Sequence, residues 1–336
     1  MTEDVIEAPL ADLRVDRRIV DRLSARGLVS AAARDFALDA IEPARRWGVW
    51  VSRLLTVVGT SLALAGIVYF FAFNWDRIPP LTKLAALAAL IAAAVVTVAI
   101  VGFGRLVSDA AASAAVMLVG VFLAVFGQIY QTGADAWQLF AGWAALTVVF
   151  ALLAGSAAAW AVWLAVANVA IVLWWDQTQP WDVTHHAGRS LSLIGFDGAF
   201  LAMREILVGR GIAWPAPRWT RVYLALPVLI AVTLLGLNLL DRHRDFGTLA
   251  RVAAGVVPAV FVAAWLAYRR LWPDVAVLAA TAIGAAVLLD FALFDLLTGG
   301  GRNSDIGTFF LMGFATLGIF GGAVAWLRAV AREMGA

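Results

Sequence analysis

The chain has 336 residues, of which 63% are hydrophobic and 14% are charged, and its mean hydropathy is +0.88. A soluble domain is about 45–50% apolar and about 25% charged, so the composition excludes an ordinary soluble protein. The absence of cysteine excludes disulfides and thiolate sites, and a net charge of +2 without a basic tract argues against nucleic-acid binding. We therefore expect an all-α, polytopic membrane helix bundle.

The first 46 residues are polar, and they predict a short cytoplasmic αα-hairpin ahead of a transmembrane bundle over residues 47–336. Apolar residues recur at helical spacing between residues 10 and 26, and Gly27 suits the position just after a helix. Ser30 can cap a second helix that runs to about Ile41. Since so small a module has little core of its own, it is either a solvated stalk or a module that docks a partner protein.

Nine stretches are apolar and long enough to cross a bilayer, which takes about 20 residues. They are residues 49–73, 81–103, 110–131, 137–154, 157–175, 221–240, 247–268, 275–298 and 306–327. A tenth stretch, residues 189–208, carries Asp197, Arg204 and Glu205, so hydropathy alone leaves its crossing undecided. Most tryptophans lie near predicted helix ends, which is typical of the aromatic belt at the membrane surface.

The distribution of basic residues decides the tenth stretch. Nine arginines up to Arg53 place the amino terminus in the cytoplasm, because cytoplasmic loops are enriched in Lys and Arg. If residues 189–208 cross, the later loops hold nine basic residues inside and seven outside; if they do not, five lie inside and eleven outside. The sequence therefore predicts ten transmembrane helices with both termini inside. One Lys against 24 Arg, with abundant Ala, is typical of a GC-rich bacterial genome.

Three sequence stretches carry a family resemblance. They are LSARGLVSAAA at residues 23–33, GTSLALAGIVYFFAFNWDRIPPLTK at residues 59–83 and GQIYQTGADAWQLFAGWAAL at residues 127–146. Together they resemble the bacterial DUF2157 family of predicted membrane proteins, most specifically over residues 10–175. The resemblance implies a polytopic inner-membrane protein embedded in the lipid bilayer, and it implies no activity.

Polar groups in a membrane segment are costly, so they are the first candidates for a functional site. In the predicted threading they gather in the outer half of the bundle, as a candidate polar cavity. Its residues are Asn74, Asp76, Gln128, Tyr130, Gln131, Asp135, Asn168 and Asp176. We expect this cavity to face outward and to bind or transport a small solute or a lipid headgroup. The alternatives are that these groups only cap helix ends, and that the protein is a scaffold or regulator that docks a partner through its hairpin.

We expect neither a metal nor a cofactor, and no catalytic role. Asp182, His185 and His186 could ligate a metal, but adjacent histidine side chains diverge in an extended loop. The HExxH pattern, the GxSxG elbow and the phosphate-binding loop of nucleotide hydrolases are all missing from the sequence. The sequence therefore predicts that the protein is not an enzyme.

Two further features concern the last helices. Arg251 and Asp295 have matching predicted depths on neighbouring antiparallel helices, so we expect an intramembrane ion pair, with Asp290 as the less favoured partner. The alternative is that Arg251 reaches up to the headgroups instead. Small residues between Gly313 and Gly322 allow close helix approach, either within the chain or across a homo-oligomer.

Overall fold

The computed structural model describes residues 16–41, 77–181, 183–240, 247–298 and 305–334, together with single positions between 48 and 69. Throughout these residues the regular structure is helical, which confirms the predicted all-α class. The chain divides into two compact units, Met1–Pro79 and Pro80–Ala336. The predicted boundary at residue 46 and the predicted membrane helix 49–73 lie largely outside the described residues, and so do Asn74 and Asp76.

In the first unit two short helices follow one another, α1 (Arg17–Ala25) and α2 (Ala31–Ile41). Gly27 adopts a left-handed φ of 70° just after α1, and the Ser30 hydroxyl accepts a hydrogen bond from the backbone N–H of Ala33 at 3.2 Å. Both end signals were predicted from the sequence. Arg34 donates two hydrogen bonds to Asp21, at 2.9 and 2.7 Å, and this contact holds the pKa of Asp21 below its ordinary value. The cytoplasmic location of these helices stays a prediction.

The described part of the second unit contains nine helices. They are α3 (Pro80–Val101), α4 (Leu106–Tyr130), α5 (Ala136–Leu153), α6 (Ala157–Thr178), α7 (Val183–Gly209), α8 (Arg218–Leu240), α9 (Gly247–Leu266), α10 (Val275–Thr298) and α11 (Ile306–Glu333). A π-helical turn, Ala267–Leu271, extends α9. Among the described helices, eight are long and apolar enough to cross a membrane, and α7 is the helix of the second unit that does not meet this criterion.

The second unit has two apolar cores that meet at α7 and α8. The first core lies among α4, α5 and α6 and includes Val116, Trp160 and Leu164. The second lies among α8, α9 and α10 and includes Val232 and Leu278. Because α7 and α8 pack along each other and supply residues to both cores, they form the centre of the unit.

Close approach of helices occurs at α7. A Cβ atom added at Gly188 would lie 2.1 Å from Cη2 of Trp175 on α6, so the two helices meet where Gly188 has no side chain. The glycines of α11 behave differently, since a Cβ atom at Gly313 or Gly322 would meet nothing within 4 Å. The expected close packing of this stretch of α11 within the chain is therefore not found among the described residues.

We expect Gly188→Ala to destabilise the protein by about 1–3 kcal/mol, the usual cost of forcing a methyl group into a filled space. Gly195→Ala on the same helix is the matched control, because a Cβ atom there meets nothing within 4 Å. Thermal unfolding of the purified variants in detergent checks the difference. Equal midpoints for the two variants would show that Trp175 moves aside freely.

Candidate functional site

One face of α7 carries buried polar side chains at three depths. Ser190, Asp197 and Arg204 are spaced by seven residues and are 6%, 0% and 1% exposed. Seven residues are nearly two helical turns, so the three side chains lie on one face. The residues of α7 that are exposed are mostly small or apolar, and they include Gly195, Ala199, Ala202 and Ile206. A helix in a bilayer with polar groups toward protein and apolar groups toward lipid has this pattern.

At the middle of this polar face of α7, the carboxyl group of Asp197 pairs with an amide. Asp197 Oδ1 accepts a hydrogen bond from Asn168 Nδ2 on α6 at 2.8 Å, and the same amide donates to the Leu164 carbonyl at 3.0 Å. Asp197 Oδ2 is buried and has no hydrogen-bond partner among the described residues. The aromatic rings of Trp163, Phe196 and Phe200 pack together on the neighbouring faces of α6 and α7. This part of the bundle thus holds a carboxyl with a spare acceptor oxygen.

A second polar group lies where α6 ends and α7 begins. Asp176 accepts a hydrogen bond from Arg189 Nη1 at 2.8 Å, and its Oδ1 lies 3.1 Å from His185 Nε2. The His185 ring is fully buried and stacks on Trp181 with their centroids 4.7 Å apart. Asp176 and Arg189 are partly exposed, so this group connects the surface of the unit with its interior.

The third group is the buried side chain of Arg204 at the other end of α7. Its Nη1 donates to Glu205 Oε1 at 2.9 Å, and its Nε donates to the Thr220 hydroxyl at 3.1 Å. Three carbonyl groups of the loop between α7 and α8 also accept from this guanidinium. They belong to Pro215, Ala216 and Pro217. Arg204 therefore has a partner for every nitrogen, as a buried guanidinium requires.

Two further arginines complete a network around Glu205. Arg221 on α8 binds both oxygens of Glu205, at 2.8 and 3.0 Å, and also reaches Asp274 Oδ2 at 3.4 Å. Arg218 binds both oxygens of Asp274, at 3.2 and 3.0 Å. Burial opposes ionisation of Asp274, but the hydrogen bonds from Arg218, from the backbone of Ala276 and from Arg221 hold its pKa below the ordinary value. Asp274 is therefore ionised at neutral pH.

The structure does not bring the whole predicted cavity together. Gln128, Tyr130, Gln131 and Asp135 are exposed, whereas Asn168 is half-buried and donates its hydrogen bond to Asp197. The exposed four lie where α4 ends and α5 begins. Gln131 ends α4 with a left-handed φ of 43°, and the Asp135 N–H donates to Gln138 Oε1 at 3.0 Å at the start of α5. Gln131 and Asp135 thus lie at helix ends, and Asp176 contacts His185 and Arg189.

The predicted ion pair is also placed differently. Arg251 is exposed, and none of the ion pairs between described residues joins it to Asp295 or Asp290. Asp290 accepts a hydrogen bond from the Thr316 hydroxyl of α11 at 2.7 Å. The physical reason is that α10 packs chiefly against α8 and α11 and only to a lesser extent against α9. Asp290, the less favoured partner in the prediction, therefore has a hydroxyl as its partner.

Among the described residues no group of three His, Cys, Asp or Glu side chains could hold a metal ion. His185 and His186 lie with their ring centroids 5.3 Å apart and nearly perpendicular, and both rings contact Trp181. Asp182 lies outside the described residues. The described geometry around His185 is thus that of an aromatic cluster with one carboxylate.

In the sequence, Asp197, Arg204 and Glu205 stand out only as charges that oppose membrane insertion, and Asp274 has no predicted role. In the structure all four side chains are buried polar groups. A usable signal was present, since Ser190, Asp197 and Arg204 recur every seven residues within a mostly apolar helix.

Comparison with known proteins supports a membrane location and gives no activity. Residues 21–160 match the model of a family described as predicted membrane protein (DUF2157), which confirms the resemblance over less than half of the chain. No curated protein and no solved structure matches this chain. The candidate site on α7 and α8 lies beyond the matched residues. Over residues 21–160 the chain is thus similar to the DUF2157 predicted membrane proteins.

Proposed function

We propose that the protein binds and conducts a small cation, the proton included, through the interior between α6, α7 and α8. The observation that carries this proposal is the buried Asp197, one of whose carboxyl oxygens has no hydrogen-bond partner among the described residues. An Asp near the centre of a membrane helix costs roughly 2.5–3.5 kcal/mol, so its presence calls for a reason. A carboxylate with one satisfied and one spare oxygen can hold a proton or coordinate a cation.

The neighbouring polar groups support a path on both sides of Asp197. His185 precedes it by twelve residues and Arg204 follows it by seven, which are about 18 and 10.5 Å at 1.5 Å per residue. The group at Asp176 is partly exposed at one end, and Arg221 is partly exposed at the other. Polar groups thus lie at both ends of α7 and near its centre, and the Asp176 carboxylate is the one that could attract a cation toward Asp197. The proposal involves no catalysed reaction.

We further propose ten membrane crossings with both termini in the cytoplasm of a bacterial inner membrane. Eight described helices have the length and composition of spans, and the predicted helix 49–73 would be a ninth. Helix α7 would be the tenth, since its 27 residues cover about 40 Å and its polar groups are turned toward protein. The basic residues of the loops favour this threading, as set out from the sequence.

The test is a flux measurement on the purified full chain in phospholipid vesicles. Under an imposed inside-negative potential, we expect wild-type vesicles to acidify, as reported by a trapped pH dye, or to take up labelled sodium. Asp197→Asn should lower this flux to that of empty vesicles, because the amide can neither take up a proton nor carry a negative charge. Asp290→Asn is the matched control, since Asp290 lies on α10 and is bonded to Thr316.

Two results would contradict the proposal. The first is a wild-type flux no greater than that of empty vesicles for both protons and sodium. The second is an undiminished flux through Asp197→Asn in vesicles that contain equal amounts of folded protein.

A scaffold role is the second candidate, and one observation favours it. Leu28, between α1 and α2, and Phe36, on α2, are 69% and 76% exposed. Large apolar side chains exposed on a small helical module suit a docking surface for a partner protein. Phe36→Ser separates the two functions, because it should leave the cation flux unchanged if conduction is the activity. A partner that copurifies with wild type but not with this variant, together with no flux, would favour the scaffold.

A further inference from the structure

The second unit also contains an apolar cavity of about 400 Å³ between α7, α8 and α9, and residues of the π-helical turn contribute to its lining. Most of its lining is aliphatic and includes Ile194, Leu201, Val228 and Leu229, with Trp272 as the largest side chain. The volume falls in the range of about 300–1,000 Å³ that is usual for ligand pockets. The cation path proposed above does not use this space.

The polar end of the cavity is formed by Glu205 and Tyr268. Tyr268 is 4% exposed, and it lines the cavity beside Glu205. The guanidinium of Arg221 lies 5.7 Å from the centroid of the Tyr268 ring. A tyrosine hydroxyl can donate a hydrogen bond, so Tyr268 suits a ligand that offers an acceptor oxygen at this end of the cavity.

The charges at this end are unequal. Three guanidinium groups, those of Arg204, Arg218 and Arg221, meet two carboxylates, those of Glu205 and Asp274. One positive charge is therefore left uncompensated within this network. Basic groups between membrane helices on the cytoplasmic side attract anionic lipid headgroups, and this end of α7 is cytoplasmic in the proposed threading.

We propose that the cavity binds one acyl chain of an anionic phospholipid. The chain occupies the apolar space, an ester carbonyl accepts a hydrogen bond from Tyr268, and the excess positive charge attracts the headgroup. This proposal does not depend on cation conduction, since lipid binding is measured in the absence of any gradient.

The test is native mass spectrometry of the full chain in detergent with added phosphatidylglycerol or phosphatidylcholine. We expect wild type to retain phosphatidylglycerol in preference to phosphatidylcholine. Ala202→Phe, at the edge of the cavity, should weaken this binding roughly tenfold by occupying the space of the chain. Ala199→Phe is the matched control, because Ala199 is exposed on the same helix but is not part of the lining.

Tyr268→Phe removes only the hydroxyl, and it should weaken phosphatidylglycerol binding several-fold with little change in the melting temperature. This variant decides the matter if Ala202→Phe fails to fold. Equal binding of both lipids would overturn the proposal, and so would unchanged binding by the folded cavity variants. Stabilisation by inorganic phosphate equal to that by phosphatidylglycerol would show that the site is one for free anions, and would also overturn it.

Discussion

Arg204→Met should lower the free energy of unfolding by about 3–5 kcal/mol, the usual cost of removing one partner from a buried ion pair. The methionine fills similar space but leaves Glu205 with one cationic partner fewer and deprives three loop carbonyls of their donor. Titration of the purified protein from a mild detergent into a denaturing one, followed by circular dichroism, measures the change. We expect this to be one of the largest effects of any single charged side chain in the described part of the chain.

Arg218→Met is the matched control for this measurement. The Arg218 side chain is 65% exposed, although it also binds a buried carboxylate, Asp274. Its loss should therefore cost much less, because solvent screens the exposed partner. If the two variants unfold at the same denaturant concentration, then Arg204 does not organise the loop between α7 and α8.

Cysteine labelling should give an all-or-none result for the proposed threading. The chain has no cysteine, so a thiol introduced at Thr178 or Ala216 is the only one present. Both positions are exposed, and α7 separates them. We expect Thr178→Cys to react with a membrane-impermeant maleimide in intact spheroplasts, and Ala216→Cys to react only after lysis.

Ala187 would be a poor reporter in the same experiment, because it is fully buried and a thiol there would stay unreactive on either side. Labelling of both exposed positions before lysis, or of neither, would place them on one side of the membrane. Helix α7 would then not cross, and the ten-helix threading would be wrong.

The helices themselves could be predicted from the sequence, because hydropathy and capping are local properties. The stretch 275–298 coincides with α10, and the predicted end of the second hairpin helix near Ile41 coincides with the end of α2. The first residues of the helices were predicted less accurately. Helix α4, for example, begins at Leu106 and not at residue 110. The polar residues Ser108 and Asp109 lower the hydropathy there without preventing the helix.

The candidate site was harder to predict, because burial depends on which helices become neighbours. Asn168 and Asp176 were chosen as polar residues of one helix, yet their partners, Asp197 and Arg189, lie on another helix and were not paired with them. Asp290 shows the same difficulty, since its partner Thr316 is a neutral residue that a search for opposite charges passes over. Spacing along one helix can show a shared face, but it cannot show what covers that face.

The side chains around Arg204 have a consequence for how the chain enters the bilayer. Glu205 and Arg204 both lie on α7, so they enter the membrane together. Their other partners, Thr220 and Arg221, lie on α8, and the loop carbonyls that bind Arg204 lie just before it. The favourable transfer free energy of α7 therefore belongs to a helical hairpin with α8 and not to α7 alone. A hydropathy scale that scores one segment at a time must underrate such a helix, because it assigns each ionised group the full cost of leaving water without a partner in the membrane.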